Sequence, residues 1–218
     1  MTQLLTIPVS ESIGTVSARL LVPDDLIFIC TLAHGAGAGM HHAFMEGIAA
    51  ALAGQGIGTL RFNFPYMEQK KKRPDVPAVA HATIAAALKQ AHQLYPQVPL
   101  LAAGKSFGGR MSSQYLAKEK PAFVKGLVFF GFPLHPAGKP SVERAQHLRE
   151  VEVPMLFLQG TRDELADWSL INQVCASLPN AQLTAIDGAN HAFFVRGRKD
   201  VLPMLAAETA KWIPTHVV

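Results

Sequence analysis

The sequence predicts a three-layer α/β/α fold around a mostly parallel sheet of about seven or eight strands. Short apolar runs alternate with helix-period segments along the chain, and Gly or Pro marks most of the joints. Strand and helix taking turns at this spacing specify parallel strands joined by right-handed crossovers and covered on both faces. The 218 residues suit one domain, 1–218, and 49% hydrophobic against 17% charged residues supplies a sizeable core.

Taken in order, Thr15 to Val22 reads as an early strand, turned by Pro23-Asp24-Asp25. Leu26 to Ala33 is an almost unbroken apolar run, the pattern of a strand buried on both faces. It opens into a glycine-rich stretch, His34 to Gly39, and then a helix from about His42 to Leu52, ended by Gly54 and Gly56. Gly58 to Phe62 is the next strand, followed by a loop carrying Pro65, Pro74 and Pro77. Ala78 to Leu94 is alanine-rich and helical, and Pro96 and Pro99 stop it. Further strands are expected at Leu100–Ala103, Val124–Phe130, Met155–Gln159 and Gln182–Ile186. Between and after them, helices are expected at about Gly108–Lys118, Ser141–Glu150, Asp167–Leu178 and Val201–Trp212.

The formal charge of +4 is mildly basic, and its one dense run is Lys70-Lys71-Lys72-Arg73. Such a run reads first as a solvated loop, with steering of anionic substrates and then a nuclear-import signal as the alternatives. It lacks the aromatic residues that interleave a nucleic-acid-binding stripe, so no nucleic-acid partner is expected. Cys30 and Cys175 fall in a strand-like and a helix-like segment and read as buried free thiols. The start of the chain shows neither a basic opening nor a long apolar stretch, so no signal peptide is expected. No run of about 18 apolar residues predicts a membrane span, and a cytoplasmic protein follows. Nothing in the sequence sets an oligomeric state.

Gly104-Lys105-Ser106-Phe107-Gly108 matches G-x-S-x-G between a strand and a helix. That motif lifts a serine hydroxyl clear of a sheet on a tight, strained turn. Tiny residues stand two before and two after it because strand and helix cross closely there. Chance would supply about 0.07 such matches in a chain this long. A phosphate-binding G-x-x-x-x-G-K-[ST] loop would share Gly104-Lys105-Ser106, but it needs Gly where Pro99 stands and a loop where Leu100–Ala103 reads as strand.

A serine hydroxyl needs an imidazole to take its proton and a carboxylate to orient that imidazole. Both are expected beyond later strands in the order Ser, Asp or Glu, His. Met155–Gln159 runs into Gly160-Thr161-Arg162-Asp163-Glu164, and Gln182–Ile186 into Asp187-Gly188-Ala189-Asn190-His191. Among nine histidines, His191 is the one in the loop directly after the last strand. Asp163 competes with Glu164 and Asp167; nearness to the strand end favours Asp163, whose other reading is a helix cap. Arg162 and Asp187 read as surface or supporting groups. The amides of Ala36, in the glycine-rich loop, and Phe107 are the expected oxyanion donors. Read as a dinucleotide fingerprint, that loop fails, since Met40 and His42 stand where glycine is required. With the fingerprint absent no cofactor is expected, and because His41 and His42 are adjacent and cannot share a helical face, no metal is expected either.

With these motifs in place, the chain resembles the α/β-hydrolase superfamily from about residue 15 to the end. It is most similar to the small, lidless, dienelactone-hydrolase-like group. The carrying stretches are His34 to Gly39, Arg61-Phe62-Asn63-Phe64-Pro65-Tyr66, Gly104 to Gly109, Gly160 to Asp163 and Gly188 to His191. Dienelactone hydrolases proper use cysteine where this chain has Ser106. The resemblance implies a carboxylesterase-like serine hydrolase acting on small acyl substrates through an acyl-enzyme. Two alternatives stand beside it: a non-catalytic interaction module on the same fold, and an acyltransferase or perhydrolase using the same three residues. Lids in this superfamily enter after the sixth strand, where residues 131–140 are too few for a helical cap. An open pocket lined by Phe44, Tyr66, Lys105, Phe132, His135, Trp168 and Phe193 is the expectation.

Overall fold

The computed structural model describes residues 2–197 and 200–217. Among these, eight strands form one sheet: β1 (Thr2–Ser10), β2 (Gly14–Leu21), β3 (Phe28–Ala33), β4 (Ile57–Phe62), β5 (Leu100–Lys105), β6 (Val124–Phe130), β7 (Met155–Gly160) and β8 (Ala181–Ile186). Their order is β1-β2-β4-β3-β5-β6-β7-β8. β2 runs antiparallel to both β1 and β4, and every pairing from β4 onward to β8 is parallel. The helices are α1 (Ala43–Ala53), α2 (Pro65–Glu68), α3 (Pro77–Leu94), α4 (Phe107–Glu119), α5 (Trp168–Ala176) and α6 (Leu202–His216), with a 3-10 helix at Glu143–Glu150.

Two cores flank the sheet because side chains alternate along each strand. Leu101, Ala103, Val128, Phe130, Leu156 and Leu158 face α1 and α6, packing on Met45, Ile48, Leu52, Leu205 and Trp212. Their neighbours Leu100, Ala102, Leu127, Phe129, Met155 and Phe157 face α3, α4 and α5, packing on Ile84, Leu88, Met111 and Ile171. Burial on both faces is why these strands read as unbroken apolar runs. No helical cap follows β6: residues 131–142 run as loop to the 3-10 helix.

The crossover from β3 to β4 passes through α1 on one face, and that from β4 to β5 through α3 on the other. The chain therefore leaves the carboxyl ends of adjacent β3 and β5 in opposite directions, which opens a crevice there. The register sets Ala33 beside Gly104, Lys105 beside Phe130 and Gly160 beside Ile186. The loops after β3, β5, β7 and β8 thus emerge along one edge of the sheet.

Three elements differ from expectation. β1 was not foreseen: Leu5, Ile7 and Val9 alternate on its packed face, but exposed Leu4 blurs that alternation and Pro8, tolerated because the strand is an edge, reads as a strand breaker. The helix expected at Ser141–Glu150 is a 3-10 helix, whose buried residues Ala145 and Leu148 stand three apart, the 3-10 period. Within the loop expected after β4, Pro65 starts the single turn of α2.

Candidate active site

Ser106 stands between β5 and α4 with φ 50° and ψ −114°, a left-handed backbone that a serine adopts only at a cost. The turn is enforced from both sides. A Cβ on Gly104 would fall on the backbone of Gly108 and Gly109, and one on Gly108 on the carbonyls of Ala33 and His34. Only glycine lets β5, α4 and the β3 loop pack this closely.

The Ser106 Oγ lies 2.8 Å from His191 Nε2, and His191 Nδ1 lies 2.7 Å from Asp163 Oδ2. The Asp163 side chain is fully buried and has two further donors: Gln159 Nε2 at 2.6 Å on Oδ2 and the Leu165 amide at 2.8 Å on Oδ1. Both Asp163 oxygens are therefore engaged, Oδ2 by two donors and Oδ1 by one, which holds the carboxylate against the Nδ1 face of the imidazole. The competing carboxylates have other work. Glu164 takes the His191 backbone N–H at 3.4 Å, and Asp167 caps α5 by accepting from Leu170 at 3.1 Å. The loops carrying Asp163 and His191 are laced together by Arg162 N donating to Ala189 O and Gly188 N to Thr161 Oγ1.

Gln159 was missed by sequence reasoning, although it left a signal: a fully buried amide at the end of an apolar strand, Met155-Leu156-Phe157-Leu158-Gln159. Its Oε1 accepts from Phe132 N at 2.8 Å while its Nε2 serves Asp163, so both ends are used.

The glycine-rich loop after β3 is pinned by the Arg61–Tyr66 stretch beneath it. Arg61 Nη1 donates to Met40 O at 2.9 Å, and Asn63 Oδ1 accepts from Met40 N at 2.8 Å. Phe64 N donates to Nε2 of His34 at 3.0 Å, so the proton sits on Nδ1 and goes to Gly35 O at 2.8 Å. Burial pushes His34 from 6.5 down to about 4, keeping it neutral as this geometry demands. The Tyr66 hydroxyl donates to Gly35 O at 3.2 Å and Ala36 O at 2.9 Å. With the Gly35 carbonyl tied to these donors, the trans peptide turns the Ala36 N–H to the opposite side. Phe107 is the first residue of α4, so its N–H has no helical acceptor.

A cleft of about 390 Å³ opens beside Ser106, lined by Gly35, Ala36, Phe44, Met45, Lys105, Leu165, His191 and Ala192, among others. Of the seven residues expected to line a pocket, Phe44 and Lys105 do so here. The other five are placed elsewhere, because each is committed to packing or to anchoring a loop. Tyr66 lies buried under the glycine-rich loop, and Phe132 packs in the core on Phe129 and Phe157. His135 is buried, its Nε2 accepting from Asp167 N at 2.8 Å, and so braces the Asp163 loop. Trp168 begins α5 and leans on the core, while buried Phe193 stacks on Phe44 at 5.7 Å. Lys70 to Arg73 are exposed. Among the described residues, no group of three or more His, Cys, Asp or Glu is placed to hold a metal, and no helix is long and apolar enough to cross a membrane.

A family model described as "Alpha/beta hydrolase domain" matches residues 27–213, from the start of β3 through most of α6. The chain belongs to the alpha/beta hydrolase family. Solved members of this fold superpose along the whole chain. A dienelactone hydrolase from Anabaena variabilis aligns with TM-score 0.79 at 18% identity, covering 100% of this chain and 99% of that one. An alpha-beta serine hydrolase homologue from Coxiella burnetii gives 0.77 at 22% identity, covering 98% and 97%. An α/β serine hydrolase without lid from Xanthomonas campestris gives 0.75 at 23% identity, covering 98% and 95%. This alpha/beta hydrolase domain is also 28% identical over 209 residues to a Mycobacterium tuberculosis (strain CDC 1551 / Oshkosh) protein named "Putative phosphoribosyl transferase MT0597". The match takes in 93% of this chain but 44% of that protein, so the chain spans under half the length of this curated relative.

Proposed function

We propose that this protein is a serine hydrolase acting on small ester-type acyl substrates through an acyl-enzyme. The observation that carries the reading is the unbroken chain of hydrogen bonds from the Ser106 hydroxyl through the His191 imidazole to the buried Asp163 carboxylate. On this reading Ser106 Oγ attacks the acyl carbonyl as its proton passes to His191 Nε2. Asp163 holds Nδ1–H and stabilises the imidazolium that forms. The tetrahedral oxyanion rests against the Ala36 and Phe107 amides, His191 then protonates the leaving group, and water releases the acyl group by the reverse route.

The cleft supports a small, uncharged acyl group. Apolar Phe44, Met45, Leu165, Ala36, Ala38 and Ala192 supply much of its lining, and no cap follows β6 to close over it. The solved relatives described as a dienelactone hydrolase and as serine hydrolases share the fold on which such sites are built. The phosphoribosyl transferase name belongs to a protein more than twice the matched length, and a nucleophilic serine on a strained turn is acyl-transfer machinery.

The test is Ser106→Ala assayed on a short-chain p-nitrophenyl ester, with a fluorophosphonate probe as a second readout. Loss of turnover and of labelling, with an unchanged melting temperature, is expected. Turnover retained by the variant refutes the assignment, and a folded wild type that never labels supports an interaction module instead.

A further inference from the structure

Lys105 precedes the elbow serine, yet its ammonium is not turned out to solvent. The side chain runs beneath the loop after β8, where Nζ donates to the backbone carbonyl of His191 at 2.6 Å. The Phe44 ring lies 5.7 Å from Nζ on one side and the Phe193 ring 5.1 Å on another, with the two rings stacked at an interplanar angle of 15°. Gly131 leaves the space for this: a Cβ there would stand 3.2 Å from Nζ. Phe193 itself has φ 61°, a strained backbone for an aromatic residue. Such strain persists where the surroundings over-determine it, and here the ring is gripped by Phe44 and the cation.

We propose that Lys105 is a positioning residue for the base, its ammonium fixing the His191 backbone to the same strand end that carries Ser106. This rests on reading His191 as the base. The imidazole is held through Asp163 and Ser106, but these bonds fix the ring only if the backbone carrying it stays in place. That backbone is gripped at two points, the N–H by Glu164 at 3.4 Å and the carbonyl by Lys105 at 2.6 Å. The second is the shorter and is charge-assisted. It links residues adjacent to the two reacting groups, Lys105 beside Ser106 in the chain and His191 itself. The ammonium thus commits one of its three donors to the protein's own carbonyl.

Burial drives the Lys105 ammonium from 10.5 down to about 8, against the pull of the Asp163 and Glu164 carboxylates. The other titratable groups facing it are His191, whose carbonyl it binds, and His42 at the start of α1, which lines the same cleft. Phe44 and Phe193 bring no charge. As the amine loses its proton, the bond to His191 keeps its geometry and loses its charge assistance.

The experiment measures kcat and KM on p-nitrophenyl butyrate from pH 7 to 10 for wild type, Lys105→Met and Lys105→Arg, with melting temperatures alongside. Methionine fills the space beside the stacked pair of rings without a charge, so Lys105→Met should fold with an undiminished melting temperature. Its kcat should fall about 10- to 100-fold, the scale of an ångström-level misplacement of a catalytic group, with KM within about twofold. Lys105→Arg, which keeps a charged donor, should recover most of the rate. Wild-type kcat should decline above about pH 8 while the Arg variant stays level. Wild-type kcat and pH profile in a folded Lys105→Met protein overturns the proposal, and so does a raised KM at unchanged kcat, which makes Lys105 a substrate-binding group. Should the Met variant not fold, superimposable wild-type and Arg profiles overturn it equally. Failure of the serine reading shows separately, as equal turnover by wild type and Ser106→Ala.

Discussion

Tyr66→Phe removes one hydroxyl and nothing else, so it isolates how the glycine-rich loop is held. The side chain is 1% exposed, and its hydroxyl proton is shared between the carbonyls of Gly35 and Ala36. In the variant, Gly35 O keeps its bonds from His34 Nδ1 and Ala38 N, while exposed Ala36 can offer its freed carbonyl to water. The cost is then close to that of one ordinary hydrogen bond, about 1 kcal/mol. For a chain of 150–250 residues that lowers the melting temperature by about 2–4 °C. The larger effect falls on rate. Losing an oxyanion donor outright costs about 10²–10³ in kcat. Loosening the peptide that aims the Ala36 amide forfeits part of this, about tenfold, or roughly 1.4 kcal/mol of transition-state stabilisation. Steady-state kinetics on a short-chain p-nitrophenyl ester, with a thermal melt of the same sample, read both numbers. A kcat within twofold of wild type, alongside the expected fall in melting temperature, refutes the claim that this loop supplies an oxyanion donor.

Gln159→Leu keeps the volume of the side chain but leaves the Phe132 N–H without its acceptor and Asp163 without one of its donors. Stability should fall by about 1–3 kcal/mol in urea unfolding, and kcat by at least about tenfold as the carboxylate loosens behind His191. Acid should weaken the fold through His34. Its value is about 4 when folded against 6.5 ordinarily, so between those pH values the unfolded chain takes a proton that the native imidazole refuses. Stability is therefore present above about pH 6.5 and lost as pH falls towards 4, by up to about 3 kcal/mol from this group. Half-buried His147, also pushed down to about 4 by desolvation, adds to the same slope. Unfolding curves at pH 7, 5.5 and 4.5 should show His34→Gln losing less stability than wild type over that window, and parallel losses count against a neutral, buried His34.

The layered fold and the order of its central elements were legible because both depend on local pattern. Strands covered on two faces must be apolar throughout, and the helices between them must show one apolar stripe. β1 escaped because it is an edge strand covered on one face: its alternating Leu5, Ile7 and Val9 are blurred by exposed Leu4 and interrupted by Pro8. The elbow was legible for a related reason. Gly104 and Gly108 stand where a Cβ would strike backbone, and a requirement that absolute leaves a fixed spacing in the chain. Gln159 was only half legible, since a lone amide in a strand shows that something needs it without showing what.

By itself, then, the sequence determined the α/β architecture and singled out Ser106, Asp163 and His191 by their places after three of its later strands, β5, β7 and β8. Tertiary structure decided what each neighbouring side chain does. It sent Asp167 to cap a helix, Glu164 to the His191 amide, Tyr66 beneath a loop instead of into a cleft, and the Lys105 ammonium to the carbonyl of a residue 86 positions away. The reason is one of range. Burial periodicity and backbone sterics act between residues close in the chain and leave their mark there. Hydrogen-bond partners are chosen by which strand ends the sheet order brings together, and no local pattern encodes that choice.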